Sequence, residues 1–157
     1  MKKVIFLAAL LVVASINNSF GQTNSKTDPS QLLTLYYDIK DALVSGNANT
    51  TSAKAEDFVK AINSIDIKAF NEASREALLK DATHISESKD IKHQREHFAP
   101  FSDNMITLAK TVKLSAEPVY QQYCPMKKAS WLSSQQAIKN PYYGSAMLTC
   151  GSVKDTF

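Results

Sequence analysis

The residues best equipped for chemistry sit near the end of the chain, as Cys124-Pro125-Met126 and Met147-Leu148-Thr149-Cys150. They are both of the protein's cysteines and two of its four methionines. Thiolate and thioether sulfurs are soft donors that suit Cu(I), and thiolates alone also suit Zn(II). The spacing lets the two pairs converge. Pro125 pushes Cys124 toward extended backbone and favours a tight turn that swings Met126 back toward it. Met147 and Cys150, three apart, share one face of a single helical turn, which Gly151 can end. The same cysteines could equally form a Cys124–Cys150 disulfide, stabilising by roughly 3–4 kcal/mol in the chain-entropy model. Met126 and Met147 would then be core filler. Both alternatives stay open at this level.

The histidines offer a second set of donors. His93 and His97 are four apart and share a helix face, which reads either as a solvated face with Lys92, Arg95 and Glu96 or as a second, weaker site for Cu(II) or Zn(II). His84 reads as an isolated surface residue. His93-Gln94-Arg95-Glu96-His97 also matches the H-x-x-E-H zinc-protease pattern, but residues 98–157 leave too little chain for such a catalytic domain. There is no glycine-rich phosphate loop, no nucleophile elbow and no Cys-x-x-Cys pair. Carboxylate pairs such as Glu56-Asp57 and Asp38 with Asp41 read as exposed helix faces. The expectation is a binding protein without catalytic activity.

These donors must be carried by a scaffold and delivered to a compartment. Met1-Lys2-Lys3 followed by the apolar run Val4–Ala14 reads as a signal peptide over residues 1–22, cleaved near Gly21 or Gln22. The run is too short to span a bilayer comfortably, and no cysteine near the cleavage point suggests a lipid anchor. The expected location is periplasmic or secreted, where oxidising conditions favour disulfides. The net charge of +3 loses Lys2 and Lys3 with the leader and falls to +1, so charge gives no case for nucleic acid or a membrane surface. Asn49-Thr50-Thr51 matches a glycosylation sequon, with little weight behind a bacterial-type leader.

Residues 23–117 read as helical. Asp28-Pro29-Ser30-Gln31 is an N-cap signature, and Leu32, Leu35, Tyr36, Ile39 and Leu43 follow at helical spacing until Ser45-Gly46-Asn47. A second helix places Ala55, Phe58, Val59, Ile62 and Ile65 on one face. A third starts near Lys68, with Phe70, Ala73, Ala77, Leu78 and Ile85. A fourth starts near Ser88, with Ile91, Phe98, Met105, Leu108 and Val112 inward. The expected fold is all-α, a four-helix up-down bundle. Residues 118–157 are rich in aromatics and turn signals, and are expected to form an irregular segment packed on the bundle within one domain.

The tail also resembles something known. Tyr123-Cys124-Pro125-Met126, Trp131-Leu132, Asn140-Pro141-Tyr142-Tyr143-Gly144, Met147-Leu148 and Cys150-Gly151 resemble a family of secreted bacterial domains of unknown function, with Gln94-Arg95, Phe98 and Phe101-Ser102 extending the likeness upstream. Domains of this family also occur fused to periplasmic adaptor subunits of heavy-metal efflux systems. The resemblance implies a copper-type metal-binding or carrier module linked to efflux, with Cys124, Met126, Met147 and Cys150 as ligands and an adaptor protein as partner. The alternative is a disulfide-stapled helical interaction domain with no metal role.

Overall fold

The computed structural model describes residues 28–65 and 71–157. The expected signal peptide over residues 1–22, and the expected Lys68 start and Phe70 of the third helix, lie outside the described residues.

Four helices begin on side-chain caps that satisfy backbone N–H groups left without partners at a helix start. In α1 (Pro29–Ser45), Asp28 accepts the Ser30 N–H at 2.9 Å. In α2 (Ala48–Ser64), Asn47 accepts from Thr50 at 3.0 Å. Asn71 caps α3 (Glu72–Glu87) through Ser74 at 2.8 Å, and Asp90 caps α4 (Ile91–Thr111) through Lys92 at 2.8 Å. Gly46 ends α1 at φ 72°, and Asn47 N–H returns to the Ala42 carbonyl at 3.1 Å, so the Asn that caps α2 also closes α1. The helices pack up and down, each mainly on the next. Among the described residues no helix is long and apolar enough to cross a membrane.

The bundle follows the hydrophobic spacing closely. Leu32, Tyr36, Ile39, Leu43, Ala55, Phe58, Ile62, Leu78, Ile85, Phe98 and Met105 are completely buried. Ala73 is exposed and Ala77 only half-buried, because α3 begins at Glu72 and its first turn lies at the bundle's edge.

The tail differs from expectation. It contains three strands, β1 (Tyr120–Cys124), β2 (Ala129–Ser133) and β3 (Ser152–Thr156), in an antiparallel sheet of order β2-β1-β3, with a 3₁₀ turn at Gly144–Met147. The architecture is therefore α+β rather than all-α. Polar alternation does not reveal β1 (Tyr-Gln-Gln-Tyr-Cys), because one of its two inward residues, beside Cys124, is a glutamine. Gln122 is fully buried, and its amide donates to the carbonyls of Gln135, Gln136 and Ala137 at 2.9, 3.1 and 3.3 Å. Its N–H groups are thus paired, while the buried Gln122 Oε1 has no partner among the described residues, and an unpaired buried polar atom costs ~1–3 kcal/mol.

One core runs through both parts. Tyr36 on α1 stacks on Phe98 (5.4 Å between ring centres), its hydroxyl shares a hydrogen with Ser102 on α4, and it accepts the Leu132 N–H of β2 at 3.0 Å. Trp131 and Tyr142 extend the aromatic cluster from the sheet, 6.0 Å apart edge to face. The 3₁₀ turn is clamped to the bundle by Arg95 of α4, which donates to Pro141 O at 3.0 Å and Leu43 O at 2.9 Å. Gly144 (φ 55°) lies so close that an added Cβ would stand 2.6 Å from Arg95 Nη2 and 2.9 Å from Val44 O.

This predicts a contrast between two glycines. Gly46 (φ 72°) has open space where a Cβ would go, so Gly46→Ala should cost only the left-handed strain of ~1–2 kcal/mol. Gly144→Ala must also displace the Arg95 clamp and should cost clearly more. Urea unfolding of the two variants decides it, and equal losses would contradict the clamp.

Candidate metal centre

The three-residue connection Ser88-Lys89-Asp90 folds α4 back along α3. Its geometry is held by Gln94, a completely buried side chain. The Gln94 Nε2 donates to Ser88 O at 2.7 Å, Ala48 O at 2.9 Å and Ile85 O at 3.3 Å, joining the start of α2, the end of α3 and the start of α4. With Gln94 turned inward, its neighbours His93 and His97 lie along the side of α4 that meets the last turn of α3, where His84 stands.

The result is a cluster of three imidazoles in which one ligand nitrogen from each of His84, His93 and His97 lies within 4.8 Å of the others. The His84 and His97 rings stack at 4.4 Å and 10°, and His93 meets His97 at 4.6 Å and 58°. His84 is exposed and the other two half-buried. Asp81, almost buried one turn before His84, places Oδ1 3.8 Å from His97 Nδ1, and Asn104 Nδ2 donates to its other oxygen at 3.4 Å. Burial and the neighbouring His84 and His93 hold the His97 imidazole below its ordinary pKa, with Asp81 opposing them. Burial raises the Asp81 carboxyl. Three imidazoles backed by a carboxylate are a donor set for Zn(II), Cu(II) or Ni(II). Tetrahedral coordination at about 2.1 Å needs nitrogens roughly 3.4 Å apart, a closure of up to about 1.4 Å from the observed limit of 4.8 Å.

His93 and His97 come together as their spacing predicts, and His84, which reads as isolated in the sequence, joins them. A signal was present. His84 and His93 are nearly equidistant from the turn at Ser88-Lys89-Asp90, and residues placed symmetrically about a tight helical hairpin face each other.

The sulfur residues occupy a different place. Cys124 ends β1 and is fully buried, while Cys150 precedes β3 and is half-buried. Pairing of β1 with β3 brings their Sγ atoms to 3.6 Å, with both cysteines free, so no disulfide is formed. Pro125 sits in the expected tight turn, closed by the Lys128 N–H on Cys124 O at 2.8 Å with Lys128 at φ 56°. Burial opposes ionisation of Cys124. The Lys127 N–H on its Sγ at 3.5 Å, together with Asn140, Cys150 and the Met126 N–H, outweighs burial and lowers its pKa. The bond to Cys124, then burial, raises that of Cys150. Met126 is 65% exposed and Met147 36% exposed, so neither is core filler.

Residues 32–117 match the family model described as "Protein of unknown function (DUF3347)", and that span is more than half of the sequence. The chain belongs to this family. The match covers the helical bundle with all three histidines and ends before Cys124. No curated protein and no solved structure matches the chain.

The unequal burial of the cysteines predicts unequal reactivity. Iodoacetamide applied to the reduced native protein should label Cys150 well before Cys124, with Cys124 modified at a comparable rate only after unfolding. Peptide mass analysis over time checks this. Equal native rates would mean that burial does not control access to Cys124, whether because β1 opens or because its lowered pKa offsets the burial.

Proposed function

We propose that this DUF3347 domain is an exported metal-binding or carrier module of the copper type, acting beside heavy-metal efflux and binding metal rather than performing catalysis. The observation that carries the proposal is the convergence of His84, His93 and His97 across the α3–α4 hairpin. Nitrogen-rich sites follow the order in which Cu(II) exceeds the other divalent first-row metals, and Zn(II) accepts the same ligands. Three protein ligands leave a fourth position open. An exposed member such as His84 suits a carrier, because an incoming donor can replace it without disturbing the core. Asp81 acts as a positioning residue: its carboxylate on the Nδ1 side of His97 favours metal binding through Nε2. The link to a periplasmic efflux adaptor rests on the tail's resemblance to domains fused to such adaptors.

Cu(II) and Zn(II) titrations of the purified chain, in a background with both cysteines changed to serine, test the site. One equivalent should bind. His93→Ala with His97→Ala should abolish binding, and His84→Ala should weaken it. Unchanged stoichiometry and affinity in the double variant would overturn the proposal. Asp81→Asn should lower affinity by roughly 10–100-fold, as loss of an outer-shell partner typically does. An unaltered affinity in Asp81→Asn would remove Asp81 from the site.

A further inference from the structure

We infer that Cys124 and Cys150 form a second metal site, selective for a thiophilic monovalent cation, Cu(I), with Met126 as third ligand. It is independent of the imidazole triad, since it uses different donors on different elements.

Distance is the first argument. The Sγ atoms stand 3.6 Å apart. A disulfide requires about 2.05 Å, whereas two thiolates sharing one tetrahedral ion at about 2.3 Å lie roughly 3.8 Å apart. The observed separation is an S–H···S contact between two free thiols, and it lies close to the spacing that one shared ion would need. A backbone donor comes next. The Lys127 N–H points at Cys124 Sγ at 3.5 Å and holds that sulfur in place beside Cys150. Third, the partner loop is held in place without metal. The fully buried Asn140 donates from Nδ2 to Cys150 O at 2.7 Å, accepts the Tyr142 N–H at 2.8 Å, and donates its own N–H to Leu148 O at 2.8 Å. Both halves of the site are thus fixed in advance of binding, which reduces the ordering cost.

Thioether exposure selects the metal. Met126, two residues after Cys124, leaves its side chain largely in solvent, and Met147, whose carbonyl accepts the Cys150 N–H at 3.1 Å, is the second exposed methionine. Thioethers bind Cu(I) well, while Zn(II) prefers thiolate, imidazole or carboxylate. Loading releases two thiol protons and leaves a dithiolate–Cu(I) unit of charge −1, flanked in sequence by Lys127 and Lys128.

Anaerobic titration of the reduced full-length mature chain with Cu(I) against bicinchoninate, followed by thiolate–Cu(I) absorbance in the near ultraviolet, tests the inference. One tightly held equivalent is expected. Cys150→Ser, at a half-buried loop position, should lower affinity by more than the roughly 10–100-fold of an outer-shell change. Met126→Leu should give a smaller loss. Alkylating Cys150 in the wild-type chain provides the same test without a substitution. Affinity unchanged by loss of Cys150, or Zn(II) displacing Cu(I), would overturn the site. So would a quantitative disulfide in protein isolated without reductant, followed by no tight Cu(I) binding after reduction.

Discussion

A primary amide buried in a helical protein must find acceptors, and Gln94 finds three. Its Nε2 gathers carbonyls from the beginning of α2 and the end of α3 onto the first turn of α4. Losing such a set would leave buried polar groups unpaired at ~1–3 kcal/mol each. Everything near the metal centre depends on this junction. It fixes the rotation of α4, and the residues on either side then have determined directions: His93 and His97 meet His84 across the hairpin, while Arg95 reaches the opposite way to hold Pro141 and Leu43. One stretch of five residues therefore positions the imidazoles and clamps the tail.

The tail is joined to the bundle by the same logic. The Tyr36 hydroxyl is buried where α1, α4 and β2 meet, bonded to Ser102 and to the Leu132 N–H. Burial raises its pKa, so it stays a neutral hydroxyl able both to donate and to accept. Asn140 does for the loop before β3 what Gln94 does for the hairpin. In each place a polar side chain is buried because it replaces missing backbone partners, and the chain around it becomes rigid enough to present ligands.

The bundle was readable in the sequence because its cues are local: Asp28 caps the first helix, and the apolar residues of the helices recur at helical spacing. The sheet was not, because β1 turns Gln122 inward, and only the distant carbonyls of residues 135–137 make that burial acceptable. The pairing of His93 with His97 follows from one helix's periodicity. The third imidazole belongs to another helix and depends on the length of a turn. For the sulfurs, spacing indicated that Cys124 and Cys150 could meet. Their meeting as separate thiols follows from strand pairing and from N–H donors that no local pattern discloses.

Two donor sets of different softness thus occupy one small domain, nitrogen on the hairpin and sulfur at the sheet's edge. The nitrogen set carries the account. The most direct measurement is X-ray absorption at the zinc edge on the Zn(II)-loaded chain with both cysteines replaced by serine. The account predicts three nitrogen scatterers at about 2.0–2.1 Å with the outer-shell pattern of imidazole rings. A spectrum of oxygen ligands alone, without imidazole scattering, would contradict it.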